Sequence, residues 1–431
     1  MTVKFGTNGS DYLDGTDSTD WLYGQDGNDY LEGYGGNDFL NGGAGADTVY
    51  GDGGNDVLYE VADGADDYLD GSSGTDIVDY SAVTSGGIVI NLATGSARST
   101  AIGHDTLVSI ENAVGSEAGD VIHGTDAGFL GIGGWGENNL SGGGGNDSIW
   151  GHSGNDVLWG GNGLDDLHGG DDNDTLHGGY DPDWLYGDAG DDKLFGDAGD
   201  DFLFGGPGND YFDGGDGIDT VSYQFAAPTT ENGFVWGVSN IHVFPFNDSE
   251  GRDTFVNVEN IIGSQYDDEL WGEVLGVDVA HNIDGREGDD TVIGANGDDF
   301  LFGGAGNDFL NGKFGVDTLT GGTGSDTFTV AYSPSGHETG VGAGNREIVT
   351  DFEHGTDRIN LVLYDTPETQ LGQHDMSFIG QSGFTASNQL RFVYQGGDTI
   401  VQGNLDTDAL PEFEIQLTGH VTLTASDFIY F

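Results

Sequence analysis

The feature that most constrains this chain is an acidic or amide residue that recurs every nine residues over one long stretch. The series is Asn138, Asp147, Asp156, Asp165, Asp174, Asp183, Asp192, Asp201, Asp210 and Asp219. An apolar residue follows each member two positions later, from Leu140 to Val221, and glycines fill most of the remaining positions. A fixed period that holds over so many steps predicts a repeat architecture in which every nonapeptide folds alike.

Each nonapeptide is predicted to form a tight glycine-rich turn followed by a short strand with one inward apolar side chain. Two nonapeptides then make one coil, so residues 18 apart, such as Asp192 and Asp210, stack on the same edge. Successive coils lie at the strand spacing of about 4.8 Å. Aspartate and turn carbonyl oxygens are the hard ligands that Ca²⁺ prefers. A disordered acidic tract is the alternative, but it would not keep the apolar residue in phase through the whole series.

This pattern resembles the GGxGxDxUx nonapeptide of RTX (hemolysin-type) calcium-binding proteins, in which U is a large apolar residue. The resemblance implies an all-β fold, a parallel β-roll solenoid that holds several Ca²⁺ ions in its turns.

Two further blocks share the period, and their acids complete the set of candidate calcium ligands. The first block contributes Asp11, Asp20, Asp29, Asp38, Asp47 and Asp56, and, after a two-residue insertion, Asp67 and Asp76. The middle block adds Asp120 before the long series, and the third block contributes Asp268, Asp290, Asp299, Asp308, Asp317 and Asp326.

Some copies depart from the pattern. Phe129 and His281 stand where an acid is due, which puts those two sites in doubt. Asp172 and Asp181 replace the glycine two residues before the acid, which predicts an interruption in the row of ions there.

The blocks alternate with segments that lack the period. We expect a first roll at 1–79, a strand-rich insert at 80–116, a second roll at 117–221, a second insert at 222–264, a third roll at 265–330 and a C-terminal domain at 331–431. The inserts are related, because residues 105–112 match residues 253–260 at a constant offset of 148. Their paired Glu111 and Glu259 are candidates for ligands or catalysis, although a solvated or capping role is favoured.

Aromatic residues often stand between the acid and the apolar residue, as Tyr12, Trp21, Tyr30 and Phe39 do in the first block. In a strand these side chains point away from the interior of the roll. They could stack on a sugar, but packing against a neighbouring surface is favoured.

The charge restricts the partners. The 431 residues include 76 acids and 9 bases, giving a formal charge of −67, and no cysteine. This charge argues against nucleic acid and disfavours an anionic membrane surface. It also makes the metal-free chain self-repelling, so folding is expected to be driven by Ca²⁺. With no disulfide possible, bound metal is the only cross-link that the sequence offers to stabilise the fold.

After Val330 the glycines thin out and the strands lengthen. Residues 351–361 resemble the D-F-x-x-G-x-D-x-I-x-L motif of the serralysin-type protease C-terminal domain (peptidase M10). That resemblance implies a β-sandwich-like domain, and Asn404, Asp406 and Asp408 are similar to its calcium loop. Both loop glycines and the first Asp of that loop are replaced in this chain.

Export is expected to rely on a signal at the C-terminal end of the chain and not on an N-terminal signal peptide. The first residues lack the charged and apolar regions of a cleavable signal, and no apolar run has transmembrane length. Residues 426–431, an acid followed by apolar residues, are similar to the uncleaved signal of type I secretion substrates. We therefore expect a secreted, extracellular protein whose partner during export is a type I ABC exporter.

No catalytic motif stands out. His337 and Glu338 are not followed by the second histidine of HExxH, and residues 151–155 fail the GxSxG pattern at Asn155. We expect calcium binding that drives folding after export, in a structural, adhesive or matrix-associated role, with a possible extracellular glycan or cell surface as partner. The alternative is an extracellular enzyme acting on polysaccharide, epimerase- or lyase-like, or a protease-related protein with an unrecognised site.

Overall fold

The computed structural model describes residues 1–125, 136–225, 253–272, 280–332, 340–366, 369–370, 376–406 and 408–430. Within these residues the fold is all-β, with one 3-10 turn at Ala425–Asp427. The contacts divide the chain into two compact units, Met1–Asp219 and Thr220–Phe431. No helix in the described part of the chain is long and apolar enough to cross a membrane.

The first unit consists of short strands. They are β1 (Thr2–Phe5), β2 (Tyr12–Thr16), β3 (Asp20–Asp26), β4 (Tyr30–Tyr34), β5 (Phe39–Ala44), β6 (Thr48–Tyr50), β7 (Val57–Tyr59), β8 (Tyr68–Asp70), β9 (Ile77–Asp79), β10 (Val89–Asn91), β11 (Ser96–Ser99), β12 (Gly103–Val108), β13 (Asn112–Val114), β14 (Val121–His123), β15 (Asn139–Gly144), β16 (Ser148–Ser153), β17 (Val157–Asn162), β18 (Asp166–Asp171), β19 (Thr175–Tyr180), β20 (Trp184–Ala189), β21 (Lys193–Ala198), β22 (Phe202–Phe204) and β23 (Tyr211–Asp213).

These strands form the two faces of a parallel roll, which confirms the predicted fold class. Strands β15, β17, β19 and β21 pair in parallel on one face, and β16, β18 and β20 do so on the other. The register advances by 18 residues, so that Leu158 pairs with Leu176. Consecutive nonapeptides therefore alternate between the two faces.

The core is one apolar side chain per nonapeptide. Leu158, Leu167 and Leu176 are completely buried, and the same holds for the other apolar residues of the series. Full burial of such a side chain contributes roughly 1.5–3 kcal/mol. The roll is thin, because each coil supplies only two of these side chains and glycines surround them.

The first insert is spliced into the ladder of strands. On one face β13 pairs in parallel with both β9 and β15. On the other face the parallel pair β8–β12 is followed by the antiparallel pairs β12–β11 and β11–β10, and β10 then pairs in parallel with β14. The ladder of the first unit is therefore continuous across residues 80–116.

The second unit has the remaining strands. They are β24 (Thr220–Ser222), β25 (Thr254–Val256), β26 (Asn260–Ile262), β27 (Glu269–Trp271), β28 (Asn282–Asp284), β29 (Thr291–Ile293), β30 (Phe300–Ala305), β31 (Phe309–Asn311), β32 (Thr318–Thr323), β33 (Thr327–Tyr332), β34 (Glu347–Val349), β35 (Arg358–Thr366), β36 (Thr369–Gln370), β37 (Ser377–Phe378), β38 (Gln389–Gln395), β39 (Asp398–Asn404), β40 (Phe413–Leu417) and β41 (Phe428–Tyr430).

The second unit repeats the roll and then closes it. Parallel pairing runs from β28 through β30 and β32 to β34 on one face. It runs from β27 through β29, β31 and β33 to β35 on the other. Strand β40 continues the first face and β41 the second, both in parallel. The antiparallel strands β38, β39 and β40 complete this end of the unit.

Candidate calcium sites in the turns

Each aspartate of the series joins its own coil to the preceding one. The Asp174 Oδ1 atom accepts the backbone N–H of Asp156 at 2.7 Å, and the Asp192 Oδ1 atom accepts that of Asp174 at 2.7 Å. The same bond links Asp192 to Asp210 at 2.8 Å, which confirms the predicted stacking of residues 18 apart. One carboxylate oxygen, Oδ1, therefore binds the backbone of the preceding coil, and the other, Oδ2, takes no part in this bond.

The second oxygen, Oδ2, is buried and has no hydrogen-bond partner in many turns. These aspartates are Asp29, Asp38, Asp56, Asp76, Asp147, Asp156, Asp165, Asp174, Asp183, Asp192, Asp201, Asp290, Asp308 and Asp317. A buried polar atom without a partner is costly and rare in folded proteins. A row of them at a fixed period indicates a ligand that satisfies them.

The position five residues before the acid has no room for a side chain, which is why it is glycine. A Cβ atom added to Gly160 would lie 2.4 Å from the Asp165 Oδ2 atom and 2.6 Å from the carbonyl oxygen of Gly178. The same glycine faces the same oxygen before Asp147 and Asp183. The absence of a side chain therefore lets a carboxylate oxygen and a carbonyl oxygen of the next coil approach the same glycine. All-oxygen donors of this kind fit Ca²⁺.

The electrostatics of the turns also favour a cation. Burial raises the pKa of Asp147, Asp174, Asp183 and Asp290 to about 8, although the N–H that each accepts lowers it. At neutral pH a carboxylate in such a place is disfavoured unless a positive charge lies next to it. A bound Ca²⁺ would supply this charge.

The two irregular turns of the middle block keep the same geometry. Asp172 and Asp181 adopt φ values of 77° and 73°, in the left-handed region that glycine normally takes and that Asp tolerates best among other residues. The ladder continues past them, because Asp201 Oδ1 accepts the Asp183 N–H at 2.8 Å. The predicted interruption of the ions at these turns stays a prediction.

Several members of the ladder were missed by the nine-residue count. Glu111 Oε2 accepts the N–H of Asp76 at 2.8 Å, in the place that an aspartate holds elsewhere. Asp105, Glu347 and Asp357 do the same for the acids one coil before them. These pairs can be recognised only in the structure, because the partners are 30 to 38 residues apart in sequence and do not follow the spacing of 18. Glu111 thus has a role in the backbone ladder, and burial raises its pKa.

His281 replaces an acid without breaking the ladder. Its N–H donates to Asp299 Oδ1 at 2.8 Å, and its Nδ1 atom lies 3.2 Å from the same oxygen. The side chain is buried, and its Nε2 atom has no partner. Phe129, the other misfit, and the His337–Glu338 pair lie outside the described residues.

The candidate loop in the C-terminal segment has a different donor set. Carboxylate oxygens of Asp406, Asp408 and Glu412 lie within 4.8 Å of one another, so Glu412 joins the residues that sequence had suggested. Asn404 is fully buried, and its Oδ1 atom has no partner. Its Nδ2 atom donates to the carbonyl oxygens of Asp408 and Leu410. Position 407 in the middle of the loop lies outside the described residues.

The outward aromatic side chains stack on one another. Tyr12 and Trp21 are 60% and 40% exposed, and their rings stack on Tyr30 and Phe39 at centroid distances of 4.7 and 5.2 Å. In the middle block Trp150 stacks between His123 and His168, at 4.7 and 5.7 Å. Since the rings cover each other's faces, the rows contribute packing along the roll.

A shallow groove of about 410 Å³ lies beside one such row. It is lined by Trp150, His152, His168, Asp171 and Asp188, together with small residues such as Gly169 and Gly170. The His168 Nδ1 atom lies 3.3 Å from Asp188 Oδ2. The carboxylates on its walls disfavour anionic ligands.

Comparison with known proteins identifies the repeats. The family described as RTX calcium-binding nonapeptide repeat (4 copies) matches residues 5–40, 32–59, 61–82, 132–167, 168–203, 192–221, 284–319 and 311–329. No curated protein matches the chain.

Two solved structures show partial likeness. The AlgE6R3 subunit of the Azotobacter vinelandii mannuronan C5-epimerase is 28% identical, with a TM-score of 0.18, over 39% of this chain and 80% of that one. The extracellular lipase LipA of Serratia marcescens is 17% identical, with a TM-score of 0.19, over 64% of this chain and 40% of that one. With scores this low, neither comparison supports an argument about overall shape.

The fold and the turns define a parallel β-roll with repeated cation sites. The chain carries several RTX calcium-binding nonapeptide repeats, and the ions that these repeats bind are Ca²⁺.

Proposed function

We propose that this protein is secreted and that Ca²⁺ drives its folding outside the cell. The observation that carries the proposal is the row of buried, unpartnered Oδ2 atoms in a chain with a formal charge of −67. Without a cation these oxygens are desolvated and repel one another. With Ca²⁺ in the turns the same atoms become ligands.

The energetics couple binding to folding. A turn of this kind has no defined geometry in the unfolded chain, so the free energy of Ca²⁺ binding contributes to folding. Extracellular calcium modules bind with dissociation constants of about 10⁻⁴–10⁻³ M. The chain would therefore stay unfolded in a cytosol low in Ca²⁺ and fold where Ca²⁺ is at millimolar concentration.

Export by a type I ABC exporter fits this sequence of events. The segment 426–430 that resembles an export signal is held in the folded unit, with Asp427 fully buried and β41 paired with β35. His354 Nδ1 and the Thr424 N–H both contact the Asp427 carboxylate, at 2.9 and 2.6 Å. Such a segment is accessible to an exporter only before the chain folds.

After export we assign the protein a structural, adhesive or matrix-associated role. The acidic surface favours contact with a cell surface or an extracellular glycan of low negative charge. The serralysin-like character of residues 331–431 and the calcium loop around Asn404 belong to this proposal.

The proposal is tested by adding Ca²⁺ to the purified, chelated protein. Circular dichroism should show a cooperative gain of β signal at millimolar Ca²⁺, and equilibrium dialysis should show several ions bound per chain. No gain of β signal would contradict the proposal. Turnover of alginate, another glycan or casein by the folded protein would contradict a purely structural role.

A further inference from the structure

Except at Asp67, whose turn carries the two-residue insertion, the turns before the period acids are of two kinds, distinguished by the residue four positions before the acid. In the first kind this residue has a positive φ, and in the turns named above it donates no hydrogen bond to the Oδ2 atom of the acid. In the second kind it does not, and its backbone or side chain donates to the Oδ2 atom of the acid. We name these open and closed turns.

Every aspartate with an unpartnered Oδ2 atom named above belongs to an open turn. Gly161, four residues before Asp165, has a φ of 118°, and Gly304, before Asp308, has 106°. The rule does not depend on glycine, because Gln25, Ser72, His152, Arg286 and Lys313 take φ values of 83°, 68°, 81°, 76° and 69° in the same place. Backbone conformation, and not residue type, leaves the oxygen free.

In the closed turns a donor takes the position that a cation would hold. The N–H groups of Ser116, Ser264 and Ala295 donate to the Oδ2 atoms of Asp120, Asp268 and Asp299, at 2.5, 2.6 and 2.9 Å.

The first turns of the chain follow the same rule. The Thr7 N–H donates to Asp11 Oδ2 at 2.5 Å, and the Thr16 hydroxyl donates to Asp20 Oδ2 at 2.7 Å. None of the residues four positions before these acids has a positive φ.

Among the period acids, the closed turns lie where a row begins. One further closed turn lies in the coil after Asp326, at Asp357, whose Oδ2 atom accepts the Glu353 N–H at 2.7 Å. Asp11 and Asp20 begin the two rows of the first block, and Asp120 and Asp268 are the first period acids after the two inserts. His281 lies one coil before Asp299 and has no carboxylate. Asp299 is therefore the first carboxylate after it in that row.

Asn138 is a related case in the middle block. Its Oδ1 atom accepts the Thr125 N–H at 2.7 Å, and it carries no charge. It does not begin a row, because Glu111 precedes it in the ladder.

The chemistry explains the position. An ion between two coils needs donors from both, and the first acid of a row has no matching turn before it. An N–H that points at Oδ2 satisfies that oxygen and presents the positive end of its dipole where a cation would lie. The first carboxylate is thus satisfied by the protein itself.

We propose that the closed turns at Asp11, Asp20, Asp120, Asp268 and Asp299 do not bind Ca²⁺ and that they terminate the rows of ions. Calcium is then confined to the open turns. The number of bound ions is correspondingly lower than the number of period acids.

The experiment counts Ca²⁺ ions per full-length chain by native mass spectrometry, after folding in millimolar Ca²⁺. Asp120→Asn and Asp268→Asn remove the charge from closed turns. Asp147→Asn and Asp290→Asn do so in open turns one coil later on the same faces. The first pair should bind as many ions as the unmodified chain, and the second pair at least one fewer.

Circular dichroism at the same Ca²⁺ concentration confirms that each variant is folded. If an open-turn variant does not fold, Asp29→Asn against Asp11→Asn makes the same comparison in the first coils. An equal loss of ions from both kinds of turn would overturn the proposal. That result would leave Ca²⁺-driven folding intact, because the total binding of the unmodified chain would be unchanged.

Discussion

The repeats of the middle block and the C-terminal segment 340–430 are both made of β-strands, but they are stabilised by different means. In the repeats each nonapeptide buries one apolar side chain, such as Leu176, beside a buried carboxylate. In the C-terminal segment consecutive strands bury Phe392, Val401, Phe413 and Leu417 together.

The buried charges differ in the same way. Arg346 lies 3.0 Å from Glu414, so this buried carboxylate has a counter-ion within the protein. The Asp183 Oδ2 atom has no partner, and burial raises the pKa of that residue to about 8. The comparison teaches that the repeats need an external cation, whereas the C-terminal segment has an ordinary core.

Removal of Ca²⁺ should produce the largest difference in stability between the two regions. In a chelator the repeats should lose their strands, because their carboxylates lose their counter-ions, while residues 389–417 keep theirs. Limited proteolysis followed by mass spectrometry should show cleavage throughout 1–221 first. Uniform cleavage over the whole chain would remove the distinction.

The stability of the metal-free repeats should decrease as the pH rises. The pKa of Asp147 and Asp183 is about 8 in the fold and well below that in an unfolded chain, so the folded repeats bind more protons. Their contribution to stability is then present at acid pH and is lost as the pH rises toward 8.

Circular dichroism in a chelator should therefore show more β signal at pH 5 than at pH 8.5, and Ca²⁺ binding at pH 7 should release protons. A metal-free β signal that increased with pH would be the opposite of this expectation.

Core truncation should affect both regions but depend differently on calcium. Leu176→Ala should cost about 2–5 kcal/mol in the Ca²⁺-bound protein. Phe392→Ala should cost a similar amount with and without Ca²⁺, since its strand β38 pairs with β37 and β39 and with no strand of the roll. Leu164→Ala, at a side chain that is 53% exposed, is the control and should change little. Urea unfolding followed by circular dichroism measures all three.

Loss of one open-turn charge should have a smaller effect. Asp183→Asn keeps an oxygen for the Asp165 N–H but removes the charge, which should cost about 1.5–3 kcal/mol, the range for bonds to charged groups. The Ca²⁺ concentration at the folding midpoint should rise. Asp200→Asn, at an exposed position in the same block, should leave the midpoint unchanged.

Sequence alone predicted the repeats well, because their period is the physical unit of the fold. Asp192 and Asp210 could be placed on one edge from their spacing of 18 residues. Glu111 could not be placed in the ladder in this way, because the insert separates it from Asp76 by 35 residues.

The division into open and closed turns could also not be predicted from the sequence. Ser72 and Ser116 are the same residue at the same place relative to the acid, yet only Ser72 has a positive φ. The assignment of residues 331–431 as serralysin-like stays a prediction, since the matches to the repeat family end at residue 329.

The most direct test of the central claim is hydrogen exchange, read by mass spectrometry on the full chain with Ca²⁺ and with chelator. The account predicts that amides in 147–210 are protected only with Ca²⁺. It also predicts that amides in 389–404 and 413–417 stay protected in both conditions. Protection of the repeats that is the same with and without Ca²⁺ would contradict it.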